Sequence, residues 1–387
     1  MRISSQLLLN FLLNAVWQIA LIAALASFGA WLLRSSSARY RHWLWVSALC
    51  LAFLVPAATS IRFGIEATIA APVTTNIPFP SEEPVRQLDQ VTSNSSGVLA
   101  SVIQLNTDLV FLVLGVYGIF LLYRTFRLIQ AWQTTRTIKR NAFELDADDE
   151  IASIINKCES EFDTGARRVR VLRSETLPVP VTMGLSQPAI VLPDALLHEG
   201  NTDLLTSAIG HEFIHVARRD YLLNFIYELL YLPISFHPAA ALLRRRIKQT
   251  RELCCDELVA ARILNAEVYA RSLLRLAGAA PSLRRLSVTT TVGIADADIL
   301  EARIMSLLKK PESNTRWKKL LLVVVSLLLL VPCVAAASFA SRFDVEANAQ
   351  DPAPQDQERK EKVEMKMREA GRTEEQKRKI AADPAFM

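Results

Sequence analysis

The chain has 387 residues, of which 51% are hydrophobic, and it carries a formal net charge of +5. That length allows two or three domains, but the apolar residues are concentrated in a few long blocks, which indicates a membrane protein rather than one large soluble core. The five cysteines are scattered and two of them lie inside apolar runs, which excludes a disulfide framework and leaves no need for an oxidising compartment.

Four apolar blocks predict transmembrane helices. Three of them, at about 7–33, 43–60 and 107–124, form a predicted membrane domain over residues 1–124, and the fourth covers 318–340. A helix needs roughly 20 apolar residues to cross a bilayer, which the first and fourth supply outright, whereas the second and third need their flanks. A buried soluble helix is the alternative for the second block, but RYRHWLW at its start is typical of an interface anchor. A signal peptide is the alternative for the first, and its length favours a helical hairpin.

Basic residues predict the orientation of these spans. Arginines and lysines cluster between the first two spans, after the third and before the fourth, and such clusters mark the cytoplasmic side. We therefore expect a multi-pass protein of a bacterial-type inner (cytoplasmic) membrane, with an extracytoplasmic loop at 61–106, a cytoplasmic domain at 125–317 and an extracytoplasmic tail at 341–387. The tail is highly charged and almost without apolar residues, which predicts disorder or a lone helix.

The block 125–317 is long enough for a globular domain. Its segments RRVRVLRSE and PVPVTMGLSQPAIVLPDAL alternate β-branched residues between turn residues, as strands do, and the pattern after Asn201 is helical up to about Ala280. Strands followed by helices predict an α+β domain.

The stretch HEFIH carries the candidate chemistry. Positions four apart on a helix share a face, so His211 and His215 point the same way, close enough to hold one ion, and neutral imidazoles suit zinc. Glu212 is the candidate general base, which would take a proton from a zinc-bound water as that water attacks a carbonyl. The five-residue match is weak alone, and a surface helix with two solvated histidines is the alternative. The apolar flanks argue against that alternative. The chain has only five histidines, so two of them at ligand spacing are less expected by chance.

A catalytic zinc takes three protein ligands, and RELCCDELVA supplies the third candidate. Glu252 and Asp256 are four apart and share a helix face. We assign Glu252 to zinc and Asp256 to the far ring nitrogen of a ligand histidine. A solvated acidic face paired with arginines is the alternative. Cys254 and Cys255 fall on other faces than Glu252 and are expected to pack as small apolar groups.

Three further features are weaker candidates. His237, in ISFHPAA, would donate to substrate or to a developing oxyanion, although a structural histidine is the better interpretation. Asp220 would fix the histidine helix, with an ion pair to a neighbouring arginine as an equal alternative. The strand LPVPVTMG would bind a peptide as an added strand, or is an ordinary hairpin strand whose prolines protect its edge.

In combination, these segments resemble BlaR/MecR-type integral-membrane zinc metallopeptidases. TMGLSQPAIVLP, HEFIHVARRDYLLN, FHPAAALLRRRI and RELCCDELVA occur in the order and at the approximate spacing of that family, and the resemblance covers roughly residues 1–340. It implies a gluzincin-like (zincin-like) metallopeptidase domain at the cytoplasmic face, between the third and fourth spans. It also implies the following roles: zinc ligands His211, His215 and Glu252, the base Glu212, and the supporting residue Asp256.

The best-known members of that family sense β-lactams through an outside penicillin-binding domain and then cleave or inactivate a cytoplasmic repressor. This sequence departs from that pattern, because the tail after the fourth span has no Ser-x-x-Lys and no room for a sensor fold. We therefore do not expect antibiotic sensing. Self-cleavage at the dibasic pair Arg284–Arg285, in a stretch with loop character, is a further hypothesis drawn from such relatives.

The leading prediction is a membrane-bound zinc endopeptidase in signal transduction, which hydrolyses a cytoplasmic or membrane protein such as a transcriptional repressor. A membrane-protein quality-control protease and a non-catalytic transmembrane signal transducer are the alternatives. Glu212 argues against the transducer, since a purely structural zinc site has no use for a base. The arginines at 124–140 and 244–246 are more simply positive-inside anchors or contacts to membrane lipid than a nucleic-acid surface, so no direct nucleic-acid partner is expected.

Overall fold

The computed structural model describes residues 2–69, 102–145, 148–162, 169–184, 187–278, 297–308 and 342–345. Within these ranges the chain forms ten helices and six strands, numbered in chain order. The helices are α1 (Arg2–Leu32), α2 (Ala38–Ile69), α3 (Thr107–Asn141), α4 (Asp149–Glu161), α5 (Asp194–Leu197), α6 (Thr202–Ala217), α7 (Asp220–Ile234), α8 (Pro238–Arg262), α9 (Ala266–Gly278) and α10 (Ala297–Leu308). The strands are β1 (Val102–Leu105), β2 (Phe143–Glu144), β3 (Arg170–Ser174), β4 (Val181–Met183), β5 (Ala189–Pro193) and β6 (Arg342–Val345).

Three of these helices contain stretches long and apolar enough to cross a membrane: Ser5–Leu32, Ala38–Ile65 and Thr107–Asn141. The first two pack along each other and share one apolar core. α3 buries few side chains and leaves large apolar ones exposed, including Ile119 and Leu122. An exposed apolar surface of this extent suits contact with lipid rather than with water.

Two helices continue past the predicted ends of their spans. α2 continues to Ile69, so the predicted loop at 61–106 begins as helix, and α3 is continuous to Asn141, so the predicted domain boundary at 124 falls inside a helix. Neither extension contains a proline that would end the helix. The predicted fourth span at 318–340 lies outside the described residues. The predicted tail contains a strand that we did not expect, because β6 pairs in parallel with β1.

A mixed four-stranded sheet lies beside the helices, in the order β2-β3-β5-β4. β3 and β5 are parallel, whereas β2 and β4 run antiparallel to their neighbours. β5 is buried along its whole length, since α4 and α6 pack on one face and the end of α3 on the other. The predicted strands, and the predicted helical region after Asn201, are confirmed in the described residues. β4 is left as an edge strand beside α6.

Two helix boundaries orient α6. The side chain of Asn201 caps the start of α6 by accepting a hydrogen bond from the backbone N–H of Leu204 at 2.9 Å. The helix ends at a sharp break, where Arg219 has a left-handed conformation with φ of 57°. That conformation is uncommon outside glycine, and it turns the chain so that α7 begins immediately, at Asp220.

The membrane helices and the rest of the chain share a hydrophobic core. α7 and the first half of α8 contribute the buried residues Tyr227, Tyr231, Ile234, Leu243 and Ile247 to the same cluster as α1 and α2. A second cluster lies between the sheet and helices α4, α6, α8 and α9. α8 belongs to both clusters, and it therefore connects the membrane helices to the cluster around α6.

Candidate metal centre

The structure brings the three predicted metal ligands together. His211 and His215 are both buried on α6, with their rings nearly perpendicular and their Nε2 atoms 3.3 Å apart. α8 crosses this face and places Oε2 of Glu252 3.3 Å from Nε2 of His211 and 3.8 Å from Nε2 of His215. Gly210 permits the close crossing, since a Cβ there would lie 2.7 Å from Cδ1 of Ile263.

The dimensions of this triangle fit a small divalent ion. Zinc bound by imidazole nitrogen and carboxylate oxygen at about 2.0–2.2 Å in tetrahedral geometry separates its ligand atoms by roughly 3.3–3.5 Å. The three donor atoms of this chain are 3.3–3.8 Å apart. Three buried protein ligands also leave a fourth position, as in catalytic rather than structural zinc sites.

Asp220 holds His215 from behind. Its Oδ2 lies 2.7 Å from Nδ1 of His215, and since a carboxylate accepts, Nδ1 must carry the proton. The Nε2 lone pair of His215 is then free for an ion. The left-handed turn at Arg219 makes this contact possible. The ion pair that we gave as an alternative is also present, from Nε of Arg218 to Oδ1 of Asp220 at 3.3 Å.

His211 is held by a chain of three buried groups. Its Nδ1 lies 2.8 Å from the hydroxyl of Tyr269, which donates to Oδ1 of Asp256 at 2.7 Å. Arg303 of α10 then donates to both oxygens of that carboxylate at 2.7 Å. Asp256 reaches His211 mainly through Tyr269, because its own oxygen is 3.4 Å from Nδ1. We did not predict Tyr269 or Arg303, and single polar residues in amphipathic segments carry no signal that would have identified them.

Cys255 lies closer to the centre than we predicted. Its Sγ is 3.5 Å from Nδ1 of His215 and 3.7 Å from Oδ2 of Asp220. These three residues form a second group able to hold a metal ion. The prediction of simple packing is therefore incomplete for Cys255, because the turn into α7 brings Asp220 to its face of α8. Cys254 is buried in a separate cluster with Ala38 and Leu253.

The charges of the centre compensate one another. Burial alone would lower the pKa of His211, but hydrogen bonds to Asp256 and Glu252 outweigh it and raise that pKa above its ordinary value. Burial would also lower the pKa of His215. The neighbouring Cys255, Asp220 and Glu252 outweigh burial and hold that pKa well above its usual range. Burial would raise the pKa of Glu252, yet both histidines hold it well below normal. Without an ion, the imidazoles therefore tend to retain protons that an ion would replace.

Glu212 is buried beside the two histidines and faces the edge strand. Oγ1 of Thr182, in β4, donates to Oε2 of Glu212 at 2.7 Å and also contacts the backbone carbonyl of Glu212 at 3.0 Å. Thr182 therefore holds one oxygen of the carboxylate and leaves the other able to accept a proton. β4 itself comes from the segment LPVPVTMG, and it lies at the edge of the sheet next to the centre.

His237 does not belong to this centre, which corrects its assignment as a candidate catalytic residue. It caps the start of α8, where its Nδ1 accepts from the N–H of Ala239 at 3.1 Å and its Nε2 donates to the carbonyl of Val16 at 2.8 Å. Glu252 lies 15 residues further along the sequence, which is about 22 Å at 1.5 Å per residue. The alternative of a structural histidine fits this geometry.

These features define a class of protein: a helical membrane protein with a small mixed sheet and a buried group of two histidines and a glutamate able to hold a metal ion. Residues 9–307 match the family described as BlaR1 peptidase M56. The chain belongs to this family of metallopeptidases.

Two relatives are similar to this chain at low sequence identity. The chain is 29% identical over 119 residues to the "Regulatory protein BlaR1" of Bacillus licheniformis, which covers 31% of this chain and 19% of the relative. It is 23% identical over 238 residues to the "Methicillin resistance mecR1 protein" of Staphylococcus aureus, which covers 60% of this chain and 40% of the relative. The matched part is thus less than half the length of either relative.

Proposed function

We propose that this chain is a membrane-bound zinc endopeptidase, in which His211, His215 and Glu252 hold the ion and Glu212 is the general base. The observation that carries the proposal is the triangle of donor atoms 3.3–3.8 Å apart, with Glu212 next to it on the same helix. When bound, zinc would lower the pKa of a water and polarise a substrate carbonyl.

The residues of the chain have separate tasks in this reaction. Asp220 and Tyr269 fix the ligand histidines in the tautomer that presents Nε2 to the ion. Glu212 takes a proton from the attacking water and returns it to the leaving amine. Thr182 orients the carboxylate by occupying one of its oxygens. Asp220 thus acts as a positioning residue behind His215, and Asp256 acts in the same way behind His211 through Tyr269.

The edge strand β4 is the proposed binding site for the substrate. A strand at the edge of a sheet offers backbone N–H and C=O groups to an extended peptide, which gives recognition that tolerates many sequences. Thr182 in β4 contacts Glu212 directly, so a peptide added along this strand would pass beside the base. This contact favours peptide addition over the alternative of a protected hairpin strand.

We further propose that the substrate is a cytoplasmic or membrane protein, with a transcriptional repressor as the leading candidate. The names of the relatives, a regulatory protein and a methicillin resistance protein, support a role in signal transduction. The quality-control protease remains the alternative enzyme, and a non-catalytic transducer the alternative without chemistry. The hypothesis of self-cleavage at Arg284–Arg285 lies outside the described residues.

The deciding experiment compares cells that carry the wild-type chain or Glu212→Gln, with new protein termini as the readout. Loss of a general base costs about 10²–10⁴-fold in rate, so the wild-type-dependent termini should disappear while the purified variant keeps its zinc. His215→Ala should lose both the new termini and the bound zinc. A Glu212→Gln variant with normal zinc content and undiminished cleavage would refute the mechanism, and identical termini in all three strains would favour the transducer.

A further inference from the structure

The turn between α7 and α8 lies level with the interior of the first membrane span. His237, at this turn, donates a hydrogen bond from Nε2 to the backbone carbonyl of Val16 at 2.8 Å. Val16 is close to the middle of the span Ser5–Leu32. Because half of a bilayer's hydrocarbon layer is about 15 Å thick, the turn is far from both ends of this span.

The third span gives the same level independently. The hydroxyl of Tyr117, in α3, donates to the carbonyl of Pro233 at 2.8 Å, and its ring packs edge-on against Phe236 at 5.9 Å between centroids. Tyr117 lies ten residues into the stretch Thr107–Asn141, which is about 15 Å from its first residue. Two contacts from different spans therefore place residues 233–237 at the depth of the hydrocarbon layer.

Protein groups satisfy several backbone polar groups of this turn. Irregular backbone is tolerated at membrane depth where protein groups satisfy it. The N–H groups of Ser235 and His237 donate to the carbonyls of Leu232 and Ile234, and Pro233 and Pro238 have no N–H to satisfy. The ring of His237 uses both of its nitrogens for backbone groups.

One face of this hairpin has no protein against it among the described residues. Tyr227, Tyr231 and Ile234 pack inward against α1 and α2, and Glu228 is paired inside the hairpin with Arg244 at 2.7 Å. The outward side chains are large, apolar and exposed: Phe225 at 47%, Ile226 at 40%, Leu229 at 55% and Leu242 at 37%. The face is continuous with the membrane helices that pack beside it.

We propose that α7 and the first two turns of α8 form a re-entrant membrane hairpin whose outward face, Phe225, Ile226, Leu229 and Leu242, contacts lipid acyl chains. The hairpin enters and leaves on the same side, and α8 leads from it to the metal centre. The N–H of Ala38, at the start of α2, donates to Glu257 at 2.8 Å, so the centre lies at the level where the first span ends and the second begins. The metal centre would therefore lie directly at the membrane surface. This inference rests on the membrane spans and does not require catalysis.

The test uses the full-length chain in phosphatidylethanolamine–phosphatidylglycerol vesicles. Phe225→Cys, Leu229→Cys and Leu242→Cys are labelled one at a time with a nitroxide, and collisions with oxygen and with a water-soluble nickel chelate are measured by electron paramagnetic resonance. Leu122→Cys, on the exposed face of α3, is the matched lipid control, and Leu274→Cys, exposed on α9, is the water control. The wild-type chain, whose cysteines in the described residues are buried or half-buried, gives the background.

We expect the three hairpin labels to resemble Leu122→Cys, with oxygen favoured over nickel, and Leu229→Cys to lie deeper than Phe225→Cys because it is one turn closer to the hairpin tip. A label at Leu229 that behaves like Leu274→Cys would show a hairpin in water and would overturn the proposal. Protection of all three labels from both reagents would show a protein partner on this face and would overturn it equally. A Leu122→Cys control that reads as aqueous would refute the spans and the hairpin together.

Discussion

Oδ2 of Asp220 lies 2.7 Å from Nδ1 of His215, although the two residues belong to different helices. The contact exists because Arg219 adopts a left-handed conformation and reverses the chain within one residue. A short segment thus contains both a candidate ligand and the carboxylate that fixes its tautomer. We expect this pair to control metal affinity.

Asp220→Ala should weaken zinc binding by about 10- to 100-fold, the usual effect of removing the partner behind a ligand histidine. Asp220→Asn keeps an acceptor for the Nδ1 proton and should lose less. Competition with a chromophoric chelator measures the affinity, and Asp203→Ala, exposed on α6, is the control. Equal affinity in Asp220→Ala and Asp203→Ala would show that the contact has no role in binding.

Tyr269→Phe should have a smaller effect on zinc affinity than Asp220→Ala. The change removes the hydroxyl that links Nδ1 of His211 to Asp256, but Oδ1 of Asp256 is already 3.4 Å from that nitrogen and can take over with a small shift. The absorption spectrum of the cobalt-substituted protein, which reports ligand geometry, should change between wild type and variant. An unchanged spectrum would mean that the tyrosine does not orient His211.

Arg303→Gln should destabilise the fold strongly, because it leaves the carboxylate of Asp256 buried without its cation. Breaking one side of a buried pair costs about 3–5 kcal/mol, whereas Arg271→Gln, in the exposed pair with Glu267, should cost well under about 1 kcal/mol. Adding Asp256→Asn to Arg303→Gln should recover part of the loss. Denaturant unfolding in detergent compares the wild type with these three variants, and a recovery of zero would argue against a direct ionic interaction.

The same pair gives an expectation for acid stability. Burial would raise the pKa of Asp256, but Arg303 lowers it to about 2, below the ordinary value of about 3.9. A carboxylate with a lowered pKa contributes stability that is present above its unfolded-state value and is lost as the pH falls through the folded-state value. The contribution of Asp256 should therefore persist to about pH 4 and disappear towards pH 2, which acid titration of wild type against Asp256→Asn would show.

Zinc affinity should fall as the pH decreases. The pKa values of His211 and His215 are raised in the metal-free centre, and an ion must displace their protons to reach the lone pairs. Below those pKa values the logarithm of the affinity should fall by up to about two units per pH unit, one for each imidazole. Isothermal titration in buffers of different ionisation enthalpy counts the released protons. Zero proton release at pH 6 would contradict the proposed ligands.

Thr182→Val should slow cleavage roughly 10- to 100-fold and leave zinc content unchanged. A hydrogen bond to an ionised group is worth about 1.5–3 kcal/mol, and Thr182 gives one to Glu212. Thr182→Ser keeps the hydroxyl and should retain most of the activity. A peptide substrate released by the proteomic comparison supplies the assay, and equal rates for the valine and serine variants would remove Thr182 from the mechanism.

The spacing along the chain determined the local parts of this protein. Two histidines four residues apart on a helix share a face whatever surrounds them, and the same holds for Glu252 and Asp256. Apolar blocks of sufficient length predict spans by the thickness of the bilayer, and three of these blocks are long apolar helices in the described residues. Two of these helices continue past the apolar blocks that predicted them, because hydropathy falls before the helical backbone has to stop.

Contacts between distant segments were decided by the tertiary structure alone. Tyr269 and Arg303 reach Asp256 from positions 13 and 47 residues away, and nothing local marks one polar side chain in an amphipathic helix as a partner of another. His237 has the residue type of a catalytic helper. Because α8 packs against α1, however, its ring donates a hydrogen bond to the backbone carbonyl of Val16. A side chain's chemistry is fixed by its type, whereas its role depends on which groups the fold places within about 3 Å of it, because hydrogen bonds and metal bonds act over no greater distance.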